Sequence, residues 1–370
     1  MTNTRPHSHQ IFRWHVAFVM NCNLRCSYCI TDHGTYGNRS QVMSSSIQQQ
    51  FINHLAQYNH PFKLEFGTGE TFLAYDTFLS FVDQLRASRK QTGFQDEFSV
   101  VTNGTLLTRQ KIDALRERDI SLTFSLDGDR HVHQHQRTDH QGHTFHDRIL
   151  DNYAYYLQTL VAAGMTQKTT ANSVITEHNS LVRLNAFWKK HHTPLYTTSI
   201  SIPHDFSDTE QMRHYRALQR RYLHDLKTIA FAQAAQLSNP GFLNDYQGPL
   251  EIIEGWLDLL LERRQQGCGI FKTLLALNAF GELFPCELLM NTSEMRLGTL
   301  EDVHSPLVER LNLKRHKLET QCNRCQANGK CPSICFVERY LQSPDGTDTS
   351  TCAFSLAAQK IIKDSYEMLS

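Results

Sequence analysis

A chain of 370 residues, 40% of them apolar, has room for two domains, or for one large domain with an appendage, and for a substantial core. Its 37 basic and 37 acidic side chains cancel, which argues against a surface that binds nucleic acid by neutralising phosphates. The N-terminal "MTNTRPHSHQ" has no signal-peptide core, and "NYAYYLQTLVAAGM" (152–165) is too short and too polar to span a bilayer. A cytoplasmic protein that engages neither nucleic acid nor membrane is expected.

In chain order, β-rich runs at 12–20, 62–66, 97–102, 121–126, 169–176 and 197–203 are separated by helix-like segments such as 44–58, 75–89 and 145–164. Strand and helix alternating six times predicts parallel strands with crossover helices, in an open doubly wound sheet or a barrel-like one. The strand ends carry more information than the strands. The first leads into three cysteines, the second into "GTGE" (67–70), the third into "NGT" (103–105) and the fourth into "DG" (127–128). Parallel α/β folds gather ligands at the carboxyl ends of their strands, so these four loops predict one shared site.

Residues 206–266 read as helical. Ser207 and Glu210 stand at capping-box spacing, and 249–267 repeats apolar residues at helical period before stopping at Gly267. The stretch 131–146 holds six histidines and is expected to be a solvated loop rather than a metal site.

Ten cysteines in a reducing compartment at short spacings suggest metal ligation rather than disulfides. Three lie at 22–29 and seven at 268–352, so two metal-binding regions are expected. Cys22, Cys26 and Cys29 could join His33 in a tetrahedral zinc site. Alternatively, three thiolates could hold a four-iron cluster with one iron open to a ligand, and placement at a strand end favours that reading.

The Cys22-x3-Cys26-x2-Cys29 spacing, with Tyr28 before the last cysteine, resembles the signature of radical SAM enzymes. The resemblance implies a partial (βα)6 TIM-like barrel whose three cysteines hold a [4Fe–4S] cluster. S-adenosylmethionine chelates the open iron in that family and is cleaved to methionine and a 5′-deoxyadenosyl radical. "GTGE" is similar to the family's glycine-rich turn, with Thr71 where proline is common, and implies that Gly69 and Glu70 bind the cofactor's amino group. Asn103, Ser125 and Asp127 match cofactor-contacting positions, and Arg137 matches an arginine that neutralises the cofactor's carboxylate.

The later cysteines resemble those of the SPASM domain. That pattern implies one auxiliary [4Fe–4S] cluster on Cys322, Cys325, Cys331 and Cys352, and a second on Cys268, Cys286 and Cys335, three clusters in all. Seven thiolates serve eight positions, and Glu262 stands where some relatives have a further cysteine, so one auxiliary iron is expected to be open. Glu287 occupies the place where sulfatase-activating members carry an aspartate suggested as the catalytic base.

The resulting division is a radical SAM core over 12–205, a helical bridge over 206–267 and an auxiliary-cluster domain over 268–370. The resemblance implies an oxidoreductase that cross-links side chains of a ribosomally made peptide through C–C or thioether bonds. "GTYGNRSQVMS" (34–44) looks more like the cross-linking groups than the sulfatase activators. A formylglycine-generating maturase or a small-molecule dehydrogenase is the alternative enzyme, and a zinc-binding interaction module the alternative of another class. About eleven residues precede the first strand, so a leader peptide would be held by the bridge or by a separate protein. A flavodoxin or ferredoxin is the expected electron donor.

Overall fold

The computed structural model describes residues 12–164, 170–193, 196–237, 270, 273–302, 336–342 and 350–367. From the N-terminus, β1 (Arg13–Val16) runs into a ribbon of β2 (Val19–Met20) and β3 (Gln41–Val42), followed by α1 (Ser45–Ala56) and β4 (Lys63–Phe66). Next come α2 (Tyr75–Arg89), β5 (Glu97–Thr102), α3 (Arg109–Glu117), β6 (Ile120–Ser125), α4 (Arg130–Gln136) and α5 (His146–Ala162). Then β7 (Ala171–Ile175), α6 (Leu181–Lys190), β8 (Tyr196–Ile200) and α7 (Thr209–Leu237) follow. The C-terminal part contributes β9 (Leu274–Leu277), β10 (Glu282–Phe284), β11 (Gly298–Thr299), α8 (Phe336–Gln342) and α9 (Ser350–Glu367).

Among the described residues, nine strands make one sheet in the order β11-β10-β9-β1-β4-β5-β6-β7-β8. The six from β1 to β8 pair in parallel, as a partial (βα)6 barrel requires. On the other side of β1, β9 adds in parallel and β10 and β11 turn back antiparallel. The C-terminal part therefore continues the barrel sheet and is anchored on the strand that leads into the first three cysteines.

Period-two alternation sets the two faces of each strand. One face is apolar and lies under the helices. Trp14 meets Phe51 of α1 edge-on at 5.0 Å, and Phe66 meets Phe78 of α2 at 4.9 Å. Such pairs contribute about 0.5–1.5 kcal/mol beyond their buried area. In the second half Phe124, Tyr153 and Trp188 form a similar chain, and their polar tips are satisfied. The Tyr153 hydroxyl pairs with Thr170 and donates to Thr193, both at 2.9 Å, and Trp188 Nε1 donates to Ser173 Oγ at 3.0 Å.

The inner face is polar. Arg13, Lys63, Glu65, Glu97, Ser121 and Thr123 are among the residues lining a cavity of about 460 Å³. Closed barrels of this type fill their interior with layers of branched apolar side chains. Here charges and hydroxyls occupy those positions, and the interior stays open.

Two local expectations change. The start of α7 is capped by Asp208, whose carboxylate accepts from Glu210 N and Gln211 N, while Ser207 turns back to Asp205. The histidine-rich stretch is not a solvated loop throughout: α4 and the start of α5 fold it back, and His133 and His146 are buried. Burial and the nearby Arg137 push the His133 pKa down to about 2, so it is a neutral core residue.

Arg89, at the end of α2, is the most heavily bonded cation of the described core. It makes a fork with Asp96 and donates to the carbonyls of Leu55, Tyr58 and His60, which ties α1, α2 and the entry to β4 together. Arg89→Met leaves Asp96 with only the Phe62 amide as a donor and removes the guanidinium from the Leu55, Tyr58 and His60 carbonyls. A loss of about 3–5 kcal/mol is expected, read as a lower denaturant midpoint of anaerobically prepared protein. An unchanged midpoint would show that the fork carries no stability.

Candidate functional site

The β2–β3 ribbon closes residues 21–40 into one loop beyond the carboxyl end of β1. The loop docks on the α4 segment through Arg25 N to Thr138 O at 2.6 Å and Ser27 N to Gln136 O at 2.9 Å. After Cys29 the backbone turns left-handed at Asp32, His33 and Gly34, with φ of 45°, 57° and 86°. Non-glycine residues adopt this conformation at a cost of about 1–2 kcal/mol each. The turn brings His33 N to 3.1 Å from Cys29 Sγ.

All three sulfurs have donors. Leu24 N at 3.4 Å and Asn103 Nδ2 at 3.5 Å face Cys22 Sγ, and Arg137 Nη1 lies 3.9 Å from Cys26 Sγ. Burial pushes the Cys22 thiol up to about 12, with Glu70 adding to the effect. Burial also pushes Cys26 up to about 11, against the pull of Arg137. The bare thiols of Cys22 and Cys26 hold their protons, yet an N–H group faces each of the three sulfurs. That combination fits sulfurs ligating a metal cluster.

Among the described residues no group of three or more His, Cys, Asp or Glu side chains converges on a single-ion site. A zinc ion needs its donors about 2.0–2.3 Å from one point. Three thiolates on a four-iron cluster bind three different irons and need no common point. The arrangement is compatible with a cluster, which needs no such convergence.

The turn after β4 is threaded against this loop. Gly69 has φ of 116°, and a Cβ there would stand 2.2 Å from Val19 O. A Cβ on Gly34 would meet Gly69 Cα at 2.6 Å, and Glu70 N donates to Asn21 O at 2.8 Å. Thr68 is held left-handed at φ of 59°, a strained backbone for a β-branched residue. The Glu70 carboxylate, fully buried, accepts from Phe72 N, Asn103 N and the Thr102 hydroxyl. Burial raises its pKa to about 7. Its bonds fasten the end of β4 to the end of β5.

Asn103 is aimed in turn. Its amide donates to Asn23 Oδ1 at 2.9 Å, and its carbonyl accepts from Thr105 N and Oγ1. Ser125 ends β6 and is buried. Beyond it, Asp127 has no exposed surface. It accepts from Tyr28 at 2.5 Å, Arg137 Nε at 2.8 Å and Val174 N at 2.8 Å. The Arg137 guanidinium lies 5.4 Å from the Tyr28 ring centroid. Burial opposes its charge, but Asp127 holds its pKa well above the ordinary value. Gly69, Glu70, Asn103, Ser125, Asp127, Arg137 and Tyr28 thus lie at the strand ends around the cysteine loop.

The second metal region is described in part. Cys286 is buried in a small cluster with Leu289, Met295 and Val337, and Cys352 lies on α9. Cys268, Cys322, Cys325, Cys331 and Cys335, with Glu262, lie outside the described residues. Glu287, beside Cys286, is ion-paired with His15 of β1. The buried phenol of Tyr36 has Glu287, Cys286 and Cys29 in its electrostatic surroundings. His15 was not singled out by any motif, whereas Tyr36 belongs to the stretch 34–44 already noted in the sequence. Only the parity of β1 marks His15 as inward-facing.

These strand-end loops on a parallel barrel define the radical SAM architecture. Residues 16–174 match the family model described as the Radical SAM superfamily, so this stretch is a radical SAM domain and the protein is an enzyme. It is homologous to anaerobic sulfatase-maturating enzymes. The cysteine-type enzyme of Clostridium perfringens (strain 13 / Type A) is 22% identical over 345 residues, covering 88% of each chain. That of Clostridium novyi (strain NT) is 20% identical, covering 89% of this chain and 88% of its own. Among solved structures, native anSMEcpe with bound AdoMet and Cp18Cys peptide superposes with a TM-score of 0.76 at 16% identity, covering 96% of this chain and 99% of that one. Streptococcus suis SuiB bound to its precursor peptide SuiA gives 0.53 at 14%, covering 90% and 74%.

Gly69→Ala would drive a methyl group into Val19 O and unseat the cysteine loop. Iron bound at the loop after anaerobic reconstitution should fall, and S-adenosylmethionine cleavage with it, by about tenfold or more. Normal iron content and cleavage would show that the close approach is dispensable.

Proposed function

We propose that the protein is a peptide maturase that removes two hydrogens from a residue of a peptide substrate. The observation that carries this reading is the placement of Glu287. The C-terminal part delivers this carboxylate to the interior wall of the barrel, against His15, within one residue of Cys286. The similarity to enzymes whose structures contain peptides supports a peptide substrate.

When bound, the cofactors would supply the redox chemistry: Cys22, Cys26 and Cys29 would hold the [4Fe–4S] cluster that provides reductive cleavage of S-adenosylmethionine and hydrogen-atom abstraction, and the C-terminal cysteines would hold two auxiliary clusters able to accept an electron. The chain's own residues do the rest. Gly69 lets the backbone approach the cofactor's amino group, and Asn103, Ser125 and Tyr28 flank it. Asp127 fixes Arg137 so that its remaining N–H groups face the Cys26 side. Glu70 acts by orienting Asn103, since its oxygens already accept from three donors, Phe72 N, Asn103 N and the Thr102 hydroxyl. Glu287 accepts the proton that leaves the substrate. The proposed division is a core over 12–205, a bridge over 206–267 and an auxiliary-cluster domain over 268–370, with a flavodoxin or ferredoxin as donor and a leader held by the bridge or a separate protein.

Two products are compatible with this machinery. The matched lengths of the sulfatase-maturating relatives favour an aldehyde made from Cys or Ser. The stretch 34–44 favours a C–C or thioether cross-link. Mass spectrometry of treated peptides separates them: a two-hydrogen loss with linked residues, or an unlinked aldehyde, formed from Ser by loss of two hydrogens and from Cys by loss of two hydrogens followed by hydrolysis of the thioaldehyde with release of hydrogen sulfide.

Anaerobically reconstituted protein given a reductant should form 5′-deoxyadenosine and methionine. The Cys22/Cys26/Cys29 triple alanine variant should lose cleavage entirely while keeping two clusters' worth of iron and sulfide. Residual cleavage, or one cluster or none in that variant, would overturn the assignment.

A further inference from the structure

We propose that His15 is the positioning residue for Glu287, holding its carboxylate toward the barrel interior. This inference rests on the reading of Glu287 as the base. It deepens that reading by naming the group that fixes the base in place.

Three observations support it. First, His15 sits on the inner face of β1, in register with Glu65 of β4, while its neighbour Trp14 packs outward on α1. Second, its ring lies between two carboxylates. Nδ1 pairs with Glu287, and Nε2 lies 3.7 Å from Glu65, which lines the interior cavity. Glu65 is itself held by Arg13 at 3.6 Å and Lys63 at 3.8 Å, so the far side of the imidazole rests on a charged rung rather than on solvent. Third, β9 pairs with β1 so that Ala276 stands opposite His15, which sets the distance from the barrel wall to the segment carrying Glu287.

Glu287 needs such a partner. It opens a single 3-10 turn of three residues, and its side chain is 27% exposed. A glutamate there has one more rotatable bond than an aspartate, and without an anchor it samples solvent-directed rotamers. Burial lowers the His15 pKa, but the Glu287 carboxylate outweighs this and leaves it above 6.5, in keeping with a charged pair. Arg13 works against the imidazolium and Glu65 with it. A misplacement of about 1 Å at a reacting group can cost on the order of a hundredfold in rate.

The test uses the reconstituted full-length protein and needs no known substrate for its first arm. Carbodiimide amidation of Glu287, followed by peptide mapping, should run several-fold faster in His15→Leu than in the wild type, because the pairing that shields the carboxylate is gone. Equal rates would overturn the proposal. The second arm uses a synthetic cysteine-containing peptide. His15→Leu should lower kcat for peptide oxidation with KM unchanged, and His15→Gln, which can donate to the carboxylate, should restore part of it. Iron content and 5′-deoxyadenosine formation should match the wild type. Full kcat in His15→Leu, or loss restored by neither variant and accompanied by loss of iron, would assign His15 a purely structural role or none. Wild-type protein that cleaves S-adenosylmethionine but leaves the peptide unmodified would overturn the peptide reading instead, and the amidation arm then decides on His15 by itself.

Discussion

The buried Asp127 carboxylate is the interaction on which the site depends. With no exposed surface, it must have every lone pair matched, and it draws its donors from three parts of the chain. Tyr28 comes from the cysteine loop, Arg137 from the end of α4, and Val174 N from β7. A buried ion pair is costly unless its geometry is complete, and here the guanidinium, the phenol and a backbone amide complete it. The pair locks the cysteine loop to the sixth and seventh strands, while Glu70 and Gly69 lock it to the fourth and fifth. The loop has left-handed turns that would not persist in isolation, and these contacts over-determine them.

Most of the barrel was legible in the sequence because alternation and helical period are local signals. The six runs ending at 20, 66, 102, 126, 176 and 203 correspond to β1 with β2, then β4, β5, β6, β7 and β8, with ends shifted by up to three residues, while the short β3 lies outside them. The same alternation held the polar interior in plain view: in "FKLEF" and "EFSVV" the inward positions are Lys63, Glu65, Glu97 and Ser99. What sequence could not supply was pairing between distant segments. Nothing near Cys286 announces that β9 adds beside β1, or that Glu287 lands on His15. The capping-box spacing at Ser207 misled because Asp208 offers a charged acceptor one residue closer to the helix, which competes better for the same amides. The histidines of 131–146 look solvated by composition, but an amphipathic turn buries two of them.

The polar barrel and the C-terminal strands belong to one design. A β9 strand added in parallel to β1 extends the sheet on the side opposite β8, so the C-terminal part closes on the barrel through backbone pairing rather than side-chain contact alone. Backbone register is rigid to a fraction of a residue, and a slip of one would turn every side chain over. In the role proposed for Glu287, a carboxylate that takes the substrate proton cannot tolerate such slack. Anchoring the segment before Glu287 by strand pairing, then trimming its side chain with His15, removes the slack at two scales.

The electrostatics of Cys22 and Cys26 bear on what the loop is built to hold. Catalytic thiol nucleophiles sit where their pKa is lowered, by a helix N-terminus or a neighbouring cation. Here burial drives Cys22 to about 12 and Cys26 to about 11, and the Glu70 carboxylate adds to the effect at Cys22. A free thiolate nucleophile is therefore disfavoured. The donors on Cys22 and Cys29, from Leu24, Asn103 and His33, are aimed at sulfur all the same. Buried sulfurs that resist ionisation alone, yet are surrounded by N–H groups, become consistent only when a cationic centre displaces their protons. Metal binding then drives the deprotonation, and the hydrogen bonds tune the charge that remains.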